Sequence, residues 1–300
     1  SEMCIRDRPN IDNPATANTL INNIMVRKLR SFSKQLLDAF DTRNAHSQKG
    51  VDASYWIKEQ WEKITSSRTD IKIESFVHRD WEQISVIATI PGSEENNDIV
   101  IIGAHLDSIS SKNNPEKPAP GADDDASGIT VITDALRTIV KTGYKPKNTV
   151  QVMAFAAEEF GLAGSREIAK QYSEDNKNVL GMLQFDMVGF KGRQKNQKKI
   201  KIWYPTDYSN AEQNQFIRDL VGEYLPRLQA KPYKEGYASS DHAAWYEQGF
   251  PATYAVEHGD NPNYHTKKDT YERIDKAYMA NFAQLAVVYL AELAKGSCIE

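Results

Sequence analysis

The sequence has few cysteines and no long apolar run, and these absences exclude several classes of protein. Only two of its 300 residues are cysteines, Cys4 and Cys298, and they lie near opposite ends of the chain. A disulfide framework and a zinc site made of thiolates are therefore not expected. A single bridge between the termini stays open, because chain ends often lie close together. No stretch approaches the roughly 18 consecutive apolar residues of a membrane-spanning helix, so we expect no membrane association.

Neither basic nor acidic residues are in large excess, and this balance limits the partners of the chain. There are 37 basic and 41 acidic residues, for a net charge of −4 at pH 7. Nucleic acids and anionic membranes attract clusters of positive charge, so neither is an expected partner. The first ten residues, SEMCIRDRPN, lack the apolar segment of a signal peptide. We assign residues 1–16 to a tail that is poorly ordered or non-native, and residues 17–296 to one domain.

The spacing of apolar residues predicts a domain in which strands and helices alternate. An amphipathic helix is expected over residues 20–40, and a second from Asp52, which can cap it, to Ile64. Three continuous apolar runs predict buried strands, at residues 99–103, 150–156 and 179–185. No repeat or linker interrupts the pattern. The sequence therefore predicts a single three-layer α/β/α domain with a mostly parallel, mixed central sheet.

Polar side chains follow each of these three buried strands. His105, the pair Glu158 and Glu159, and Asp186 stand where the strands end. The carboxyl ends of parallel strands meet at one edge of an open α/β sheet, where ligands bind. We therefore expect these side chains to converge, whereas unrelated polar residues would be scattered. Imidazole and carboxylate groups are zinc ligands, so a metal site is the favoured interpretation.

Two of the motifs also admit simpler interpretations. His105 in AHLDS could make an ordinary hydrogen bond, but Asp107 lies two residues on and can orient the imidazole ring as a ligand. The acidic run at residues 123–125 could be a solvated loop. Ser127 can cap the helix that follows, which would leave the three carboxylates free for a cation.

The remaining histidines differ in how well they suit a metal site. His265, in the polar loop NYHTKKDT, is a second candidate ligand. His46 and His78 lie in polar stretches and are expected at the surface. His242 begins a predicted helix, and we expect it near the site without a ligand role.

Five segments in this order, AHLDS, PGADDDASG, AFAAEEFG, LQFDMVG and NYHTKKDT, resemble the zinc-dependent M28 peptidase family. Within that family the chain is most similar to the secreted bacterial leucyl aminopeptidases. The resemblance extends from about residue 31 to residue 293 and includes phrases outside the motifs, such as EGYASSDHAAWYEQGFPA. It implies a catalytic domain that binds two zinc ions and acts on peptides with a free N-terminus. It also implies a secreted or periplasmic monomer.

The resemblance implies a role for each motif residue. Five residues match the ligands of the two zinc ions: His105, Asp124, Glu159, Asp186 and His265. Asp124 matches the bridging ligand because it lies three residues before Ser127 in the family pattern D-x-x-S-G. Glu158 matches the general base. The peptide bond after Asp124 is expected to be cis, and Asp107 to support His105.

The substrate pocket is where the chain departs from its family. The resemblance places six residues in the pocket: Met187, Glu235, Tyr237, Tyr254, Val256 and Tyr264. The family's cysteine pair is replaced here by Glu235 and Ser239, and the segment before His265 is shorter. A preference for leucine is therefore in question. Glu235 suggests a preference for a polar or basic N-terminal residue.

Proteins of related fold offer three alternative functions: two other enzyme activities and a non-catalytic binding role. A glutaminyl cyclase is an acyltransferase with one catalytic zinc, and a carboxypeptidase would release the C-terminal residue. A non-catalytic binding protein would have lost some of the ligands. The full ligand set, with Glu158 beside Glu159, favours hydrolysis with two metal ions.

Overall fold

The computed structural model describes residues 9–96, 98–111, 114–192 and 200–299. The described residues begin with three helices: α1 (Pro14–Ile21), α2 (Val26–Ala39) and α3 (Gln48–Thr65). The prediction of one helix over residues 20–40 was wrong, because Asn22 and Asn23 turn the chain between α1 and α2. Both helices bury their apolar faces, so the apolar spacing continues across the turn. Helix α3 is capped by Ser47, whose hydroxyl accepts from the Gly50 amide, and not by Asp52.

Within the part of the chain that the structure describes, eight strands form one mixed sheet. They are β1 (Lys72–Phe76), β2 (Ser85–Ile90), β3 (Asp98–His105), β4 (Thr149–Phe155), β5 (Asn178–Phe185), β6 (Ile200–Pro205), β7 (Leu228–Tyr233) and β8 (Ala252–Glu257). Their order is β1-β2-β4-β3-β5-β8-β6-β7. The central strands β4, β3, β5 and β8 are parallel, while β2 and β6 join them antiparallel. This confirms the mostly parallel mixed sheet.

Helices cover both faces of the sheet. They are α4 (Ala126–Lys141), α5 (Ala163–Glu174), α6 (Ala211–Tyr224), α7 (His242–Glu247) and α8 (Lys276–Leu293), with 3₁₀ turns at Glu158–Phe160 and Tyr271–Arg273. One apolar core lies under α1 to α4, α6 and α8, and a smaller one lies under α5 and α7. The three-layer α/β/α architecture is therefore confirmed.

The folded domain begins earlier in the chain than residue 17. Helix α1 starts at Pro14, inside the segment assigned to a tail. The backbone amides of Asp12 and Asn13 donate to the buried carboxylate of Glu292 at 3.0 and 2.9 Å. These bonds attach the N-terminal segment to the end of α8. Residues 1–8 lie outside the described residues.

The described residues test the predictions about a disulfide and about membrane-spanning helices only in part. Cys298 is half-buried and forms no disulfide there. Cys4 lies outside the described residues, so its pairing with Cys298 remains a prediction. Among the helices of the described ranges, none is both long enough and apolar enough to cross a membrane.

Candidate metal centre and active site

The fold brings the candidate ligands to one edge of the sheet. His105 is the last residue of β3, Asp186 follows β5 directly, and Glu158 and Glu159 begin the 3₁₀ turn after β4. Strands β4, β3 and β5 are adjacent and parallel, so their carboxyl ends point to the same edge. The expected convergence of these side chains is therefore observed.

Asp124 lies between two histidines and contacts both. Its Oδ1 is 2.9 Å from Nε2 of His105, and its Oδ2 is 3.0 Å from Nε2 of His265. Oε1 of Glu159 is also 2.9 Å from Nε2 of His265. One carboxylate thus presents a separate oxygen to each imidazole, which is the arrangement that a bridging ligand requires.

Asp186 and Glu158 complete the side of the centre that contains His105. Oδ1 of Asp186 lies 3.6 Å from Nε2 of His105, and Oε2 of Glu158 lies 3.8 Å from it. Oδ2 of Asp186 accepts a hydrogen bond from Ser240 at 2.5 Å, while its buried Oδ1 has no hydrogen-bond partner among the described residues. A buried carboxylate oxygen without a donor is costly, and a cation would satisfy it.

Asp107 contacts His105 and the backbone of the glutamate pair. Its Oδ1 lies 3.2 Å from Nδ1 of His105 and accepts from the Glu158 amide at 2.9 Å. Its Oδ2 accepts from the Glu159 amide at 3.1 Å. The predicted partner of His105 therefore also holds the backbone of the glutamate pair, which the sequence did not indicate.

The acidic run at residues 123–125 divides into different roles. Asp125, and not Ser127, caps α4: its Oδ1 accepts from the Gly128 amide at 2.8 Å and its Oδ2 from the His105 amide at 3.0 Å. The carboxylate of Asp125 lies close enough to His105 and Asp186 to join a metal site, but backbone amides occupy both of its oxygens. In the described ranges, no backbone amide donates to the carboxylate of Asp124. The peptide bond between Asp124 and Asp125 is cis, as the resemblance implied.

Asp269 is a part of the site that the sequence reasoning missed. Its carboxylate accepts from the backbone amides of Asp123 and Asp124 at 3.0 and 3.1 Å. It therefore fixes the loop that presents Asp124. Its position four residues after His265 was the only available signal, and an isolated aspartate in a polar loop does not indicate such a role.

The electrostatics of the centre indicate a deficit of positive charge. Burial, and then the charge of Asp124, raises the pKa of Glu159 to about 8. Burial also raises the pKa of Glu158 well above its usual range, with Glu159 and Asp186 adding to the effect. Burial would lower the pKa of His105, but the charges of Glu158 and Asp186 raise it far above its ordinary value. Groups that retain protons in this way suit a site for a divalent cation.

Three residues at the centre adopt left-handed backbone conformations. Ala157 precedes Glu158 with φ 50°, Met187 follows Asp186 with φ 53°, and His265 itself has φ 52°. Non-glycine residues rarely occupy this region, and when they do they cluster at functional sites. Here the positive φ values turn the chain sharply where each side chain must face the centre.

A cavity of about 580 Å³ opens beside Asp124, Glu158 and Asp186. All six residues predicted for the pocket line it: Met187, Glu235, Tyr237, Tyr254, Val256 and Tyr264. Tyr237 and Tyr264 are 60% and 46% exposed, so they stand at the mouth. Trp203 and Tyr233 also line the cavity, stacked with ring centroids 5.3 Å apart, and were not predicted because they follow no polar motif.

The other histidines divide between surface and interior. His46 is exposed, as predicted. The prediction for His78 was wrong: it is 4% exposed, because it packs against Ser85 and Glu167 beneath the surface. His242 is buried and stacks on Tyr254, and its Nδ1 has no hydrogen-bond partner within the described part of the chain.

The sequence profile of peptidase family M28 matches residues 85–290. The chain belongs to peptidase family M28. A probable leucine aminopeptidase of Arthroderma otae is 36% identical to it over 292 residues, which cover 94% of this chain and 74% of that protein. The family therefore accounts for most of the chain.

Solved structures of similar fold come from the same family of enzymes. The LapA aminopeptidase of Legionella pneumophila superposes with a TM-score of 0.89 at 27% identity, covering 100% of this chain and 78% of that one. LapB of the same organism gives 0.87 at 29% identity, covering 95% and 76%. The chain is thus a hydrolase of the aminopeptidase type, with the zinc dependence that the M28 family implies.

The chain is similar to a solved glutaminyl cyclase in fold alone. A glutaminyl cyclase of Bacteroides thetaiotaomicron superposes with a TM-score of 0.70 at 16% identity, covering 89% of this chain and 98% of that one. Identity at this level says nothing about activity. The M28 aminopeptidases are the more similar proteins.

Proposed function

We propose that this aminopeptidase binds two zinc ions and uses Glu158 as its general base. His105, Asp186 and Asp124 would hold one ion, and His265, Glu159 and Asp124 the other. The observation that carries the proposal is the carboxylate of Asp124, which offers one oxygen on each side, 2.9 and 3.0 Å from the two imidazoles. Imidazole and carboxylate donors are the ligands that zinc prefers in catalytic sites.

The roles of the chain's own residues follow from this arrangement. Zinc bound at these residues would polarise the substrate carbonyl and acidify a water molecule. Glu158 is buried and lies 3.8 Å from His105, and burial raises the pKa of its carboxyl group, which makes the carboxylate a stronger base. It is therefore suited to take a proton from the attacking water and deliver it to the leaving amine.

The cavity determines which peptides can reach the centre. We propose that the substrates are peptides with a free N-terminus and that their first side chain lies among Tyr254, Val256 and Tyr264. Glu235 lines this wall and adds negative charge to it: burial, and then the nearby Glu235, raise the pKa of Tyr233 and Tyr237. It would favour a polar or basic first residue. We further propose a secreted or periplasmic monomer that binds neither nucleic acid nor membranes.

The decisive experiment combines zinc analysis with the variant Glu158→Gln. We expect two zinc ions per chain in both proteins, and a fall in kcat of about 10²- to 10⁴-fold in the variant, the usual contribution of a general base. Aminoacyl-p-nitroanilides report the activity, and comparing Lys, Arg and Leu substrates before and after Glu235→Ala tests the role of Glu235.

A matched control is Glu59→Gln, which changes an exposed glutamate on α3 that pairs with Lys63 outside the cavity lining. Full activity of zinc-loaded Glu158→Gln would contradict the assigned base, and one zinc per chain would contradict the bridging role of Asp124. Unchanged relative rates on Lys and Arg substrates after Glu235→Ala would contradict the role of Glu235. Release of ammonia from Gln-β-naphthylamide without hydrolysis would indicate cyclase chemistry.

A further inference from the structure

Four consecutive backbone amides before and within the glutamate pair donate to side chains. The amides of residues 156 and 157 donate to Ser85 Oγ at 2.9 Å and to Gln83 Oε1 at 3.0 Å. The amides of Glu158 and Glu159 donate to the carboxylate of Asp107 at 2.9 and 3.1 Å. The segment turns through a left-handed residue at this point, so regular secondary structure cannot supply acceptors.

The sheet register explains why Ser85 and Gln83 are available. Strand β2 is antiparallel to β4, and Ser85 at its start lies beside the end of β4, with Val86 opposite Ala154. The start of β2 therefore reaches the edge of the sheet where the active site lies. Ser85 and Gln83 are both fully buried there.

A chain of hydrogen bonds fixes the orientation of the Ser85 hydroxyl. Oγ of Ser85 lies 2.7 Å from Nε2 of His78, and Nδ1 of His78 lies 2.8 Å from a carboxylate oxygen of Glu167. The carboxylate can only accept, so the proton of the neutral ring sits on Nδ1 and Nε2 accepts from the hydroxyl. The lone pairs of Oγ then face the Ala156 amide. Ser85, His78 and Glu167 lie in the order of a nucleophilic triad, but the hydroxyl is buried and no substrate can reach it.

Gln83 is fixed just as firmly. Its amide nitrogen donates to the carbonyl oxygens of Gly50 and Arg43 at 2.9 and 3.2 Å, which leaves Oε1 pointed at the Ala157 amide. Three bonds to separate segments allow this side chain a single orientation. A rigid acceptor therefore stands one residue before Glu158.

We propose that Ser85, oriented by His78 and Glu167, and Gln83 are positioning residues for Glu158. They fix the backbone from which its carboxylate reaches the reacting water. The inference rests on the proposed role of Glu158 as general base. A general base displaced by about 1 Å can cost as much as 10²-fold in rate, so small shifts of this backbone matter.

The test compares Ser85→Ala with Ser85→Thr, which restores the hydroxyl. We expect Ser85→Ala to lower kcat by about tenfold to a hundredfold, with KM and bound zinc unchanged, and Ser85→Thr to recover most of the loss. Ser33→Ala is the matched control, because Ser33 is equally buried and its hydroxyl donates to the Leu29 and Arg30 carbonyls of its own helix α2. Equal small effects of Ser85→Ala and Ser33→Ala would overturn the proposal, as would a loss that Ser85→Thr does not recover.

A double variant separates positioning of Glu158 from general loosening of the site. If Ser85 acts through Glu158, adding Ser85→Ala to Glu158→Gln should change the residual kcat by less than about twofold. If Ser85→Ala lowers kcat as much in the Glu158→Gln variant as in the wild type, the proposal is overturned. If Ser85→Ala does not fold, His78→Gln, which leaves the hydroxyl but removes its partner, is measured instead. Activity retained by Glu158→Gln alone would instead contradict the proposed function.

Discussion

At the scale of single residues, much of the centre consists of side chains that accept from backbone amides. Asp125 holds the His105 amide, Asp107 holds those of the glutamate pair, and Asp269 holds that of Asp124. Hydrogen bonds to ionised carboxylates are short and strong, so these acceptors set the ligand positions with little freedom. The proposed ligands therefore depend on residues that would touch no metal ion.

His78 gives the stability of the protein a pH dependence with a definite sign. Burial lowers its pKa, although the carboxylate of Glu167 on α5 opposes the effect. The folded state thus favours neutral imidazole, whereas the unfolded chain protonates near pH 6.5. The stability from neutral His78 is fully present above that pH and is lost as the pH falls towards the folded-state pKa.

We therefore expect His78→Gln to be less stable than the wild type at pH 7.5, with a smaller difference at pH 5. Measuring the Tm of both proteins at the two pH values checks this. Other groups that titrate in the same way in both proteins contribute equally to both Tm values, so they do not affect the difference. If the Tm difference between the wild type and His78→Gln is the same or larger at pH 5, the assignment of a neutral buried His78 is contradicted.

At the scale of elements, the loop after β7 forms the outer wall of the cavity. It carries Glu235 and Tyr237, and the carboxylate of Asp207 accepts from the amides of Glu235 and Gly236 at 3.0 and 2.7 Å. Burial slightly opposes ionisation of Asp207, but these amides lower its pKa. One side chain from the end of β6 thus holds the pocket wall.

Asp207→Ala should loosen this wall without touching the centre. We expect KM for aminoacyl-p-nitroanilides to rise about threefold to tenfold with kcat nearly unchanged, because hydrogen bonds to a partly exposed carboxylate are weakened by solvent. Asp38→Ala on α2, which removes another exposed aspartate, is the control. A fall in kcat at constant KM would mean that the loop acts on the chemistry.

The elements also show where sequence patterns stop being informative. The three buried strands and the residues that end them could be predicted, because periodicity and the geometry of parallel sheets act locally. Strand β7 was not predicted: it lies at the edge of the sheet, is half-exposed and contains Pro232. The roles of Asp269 and Gln83 could not be predicted either, since their partners are amides that only the tertiary fold brings near.

At the scale of the whole molecule, the proposed ligands join segments that are far apart in the chain. They extend from His105 at the end of β3 to His265 in the loop after β8, and they include three adjacent strand ends. Without a cation, their buried carboxylates oppose one another, as the raised pKa of Glu159 indicates. Zinc that binds only the folded chain would therefore stabilise the entire domain.

Removing zinc with a chelator should lower the Tm, and restoring it should reverse the change. A hundredfold excess of free zinc over its Kd stabilises a protein by about 2.7 kcal/mol, and that free energy corresponds to a shift of roughly 4 °C in a domain of this size. Asp124→Asn should lose most of this shift, because both proposed sites share the carboxylate that it removes. Asp134→Asn, at a buried aspartate paired with Arg137, should keep the full shift even if its Tm is lower. An equal shift in Asp124→Asn would place the stabilising ion elsewhere in the chain.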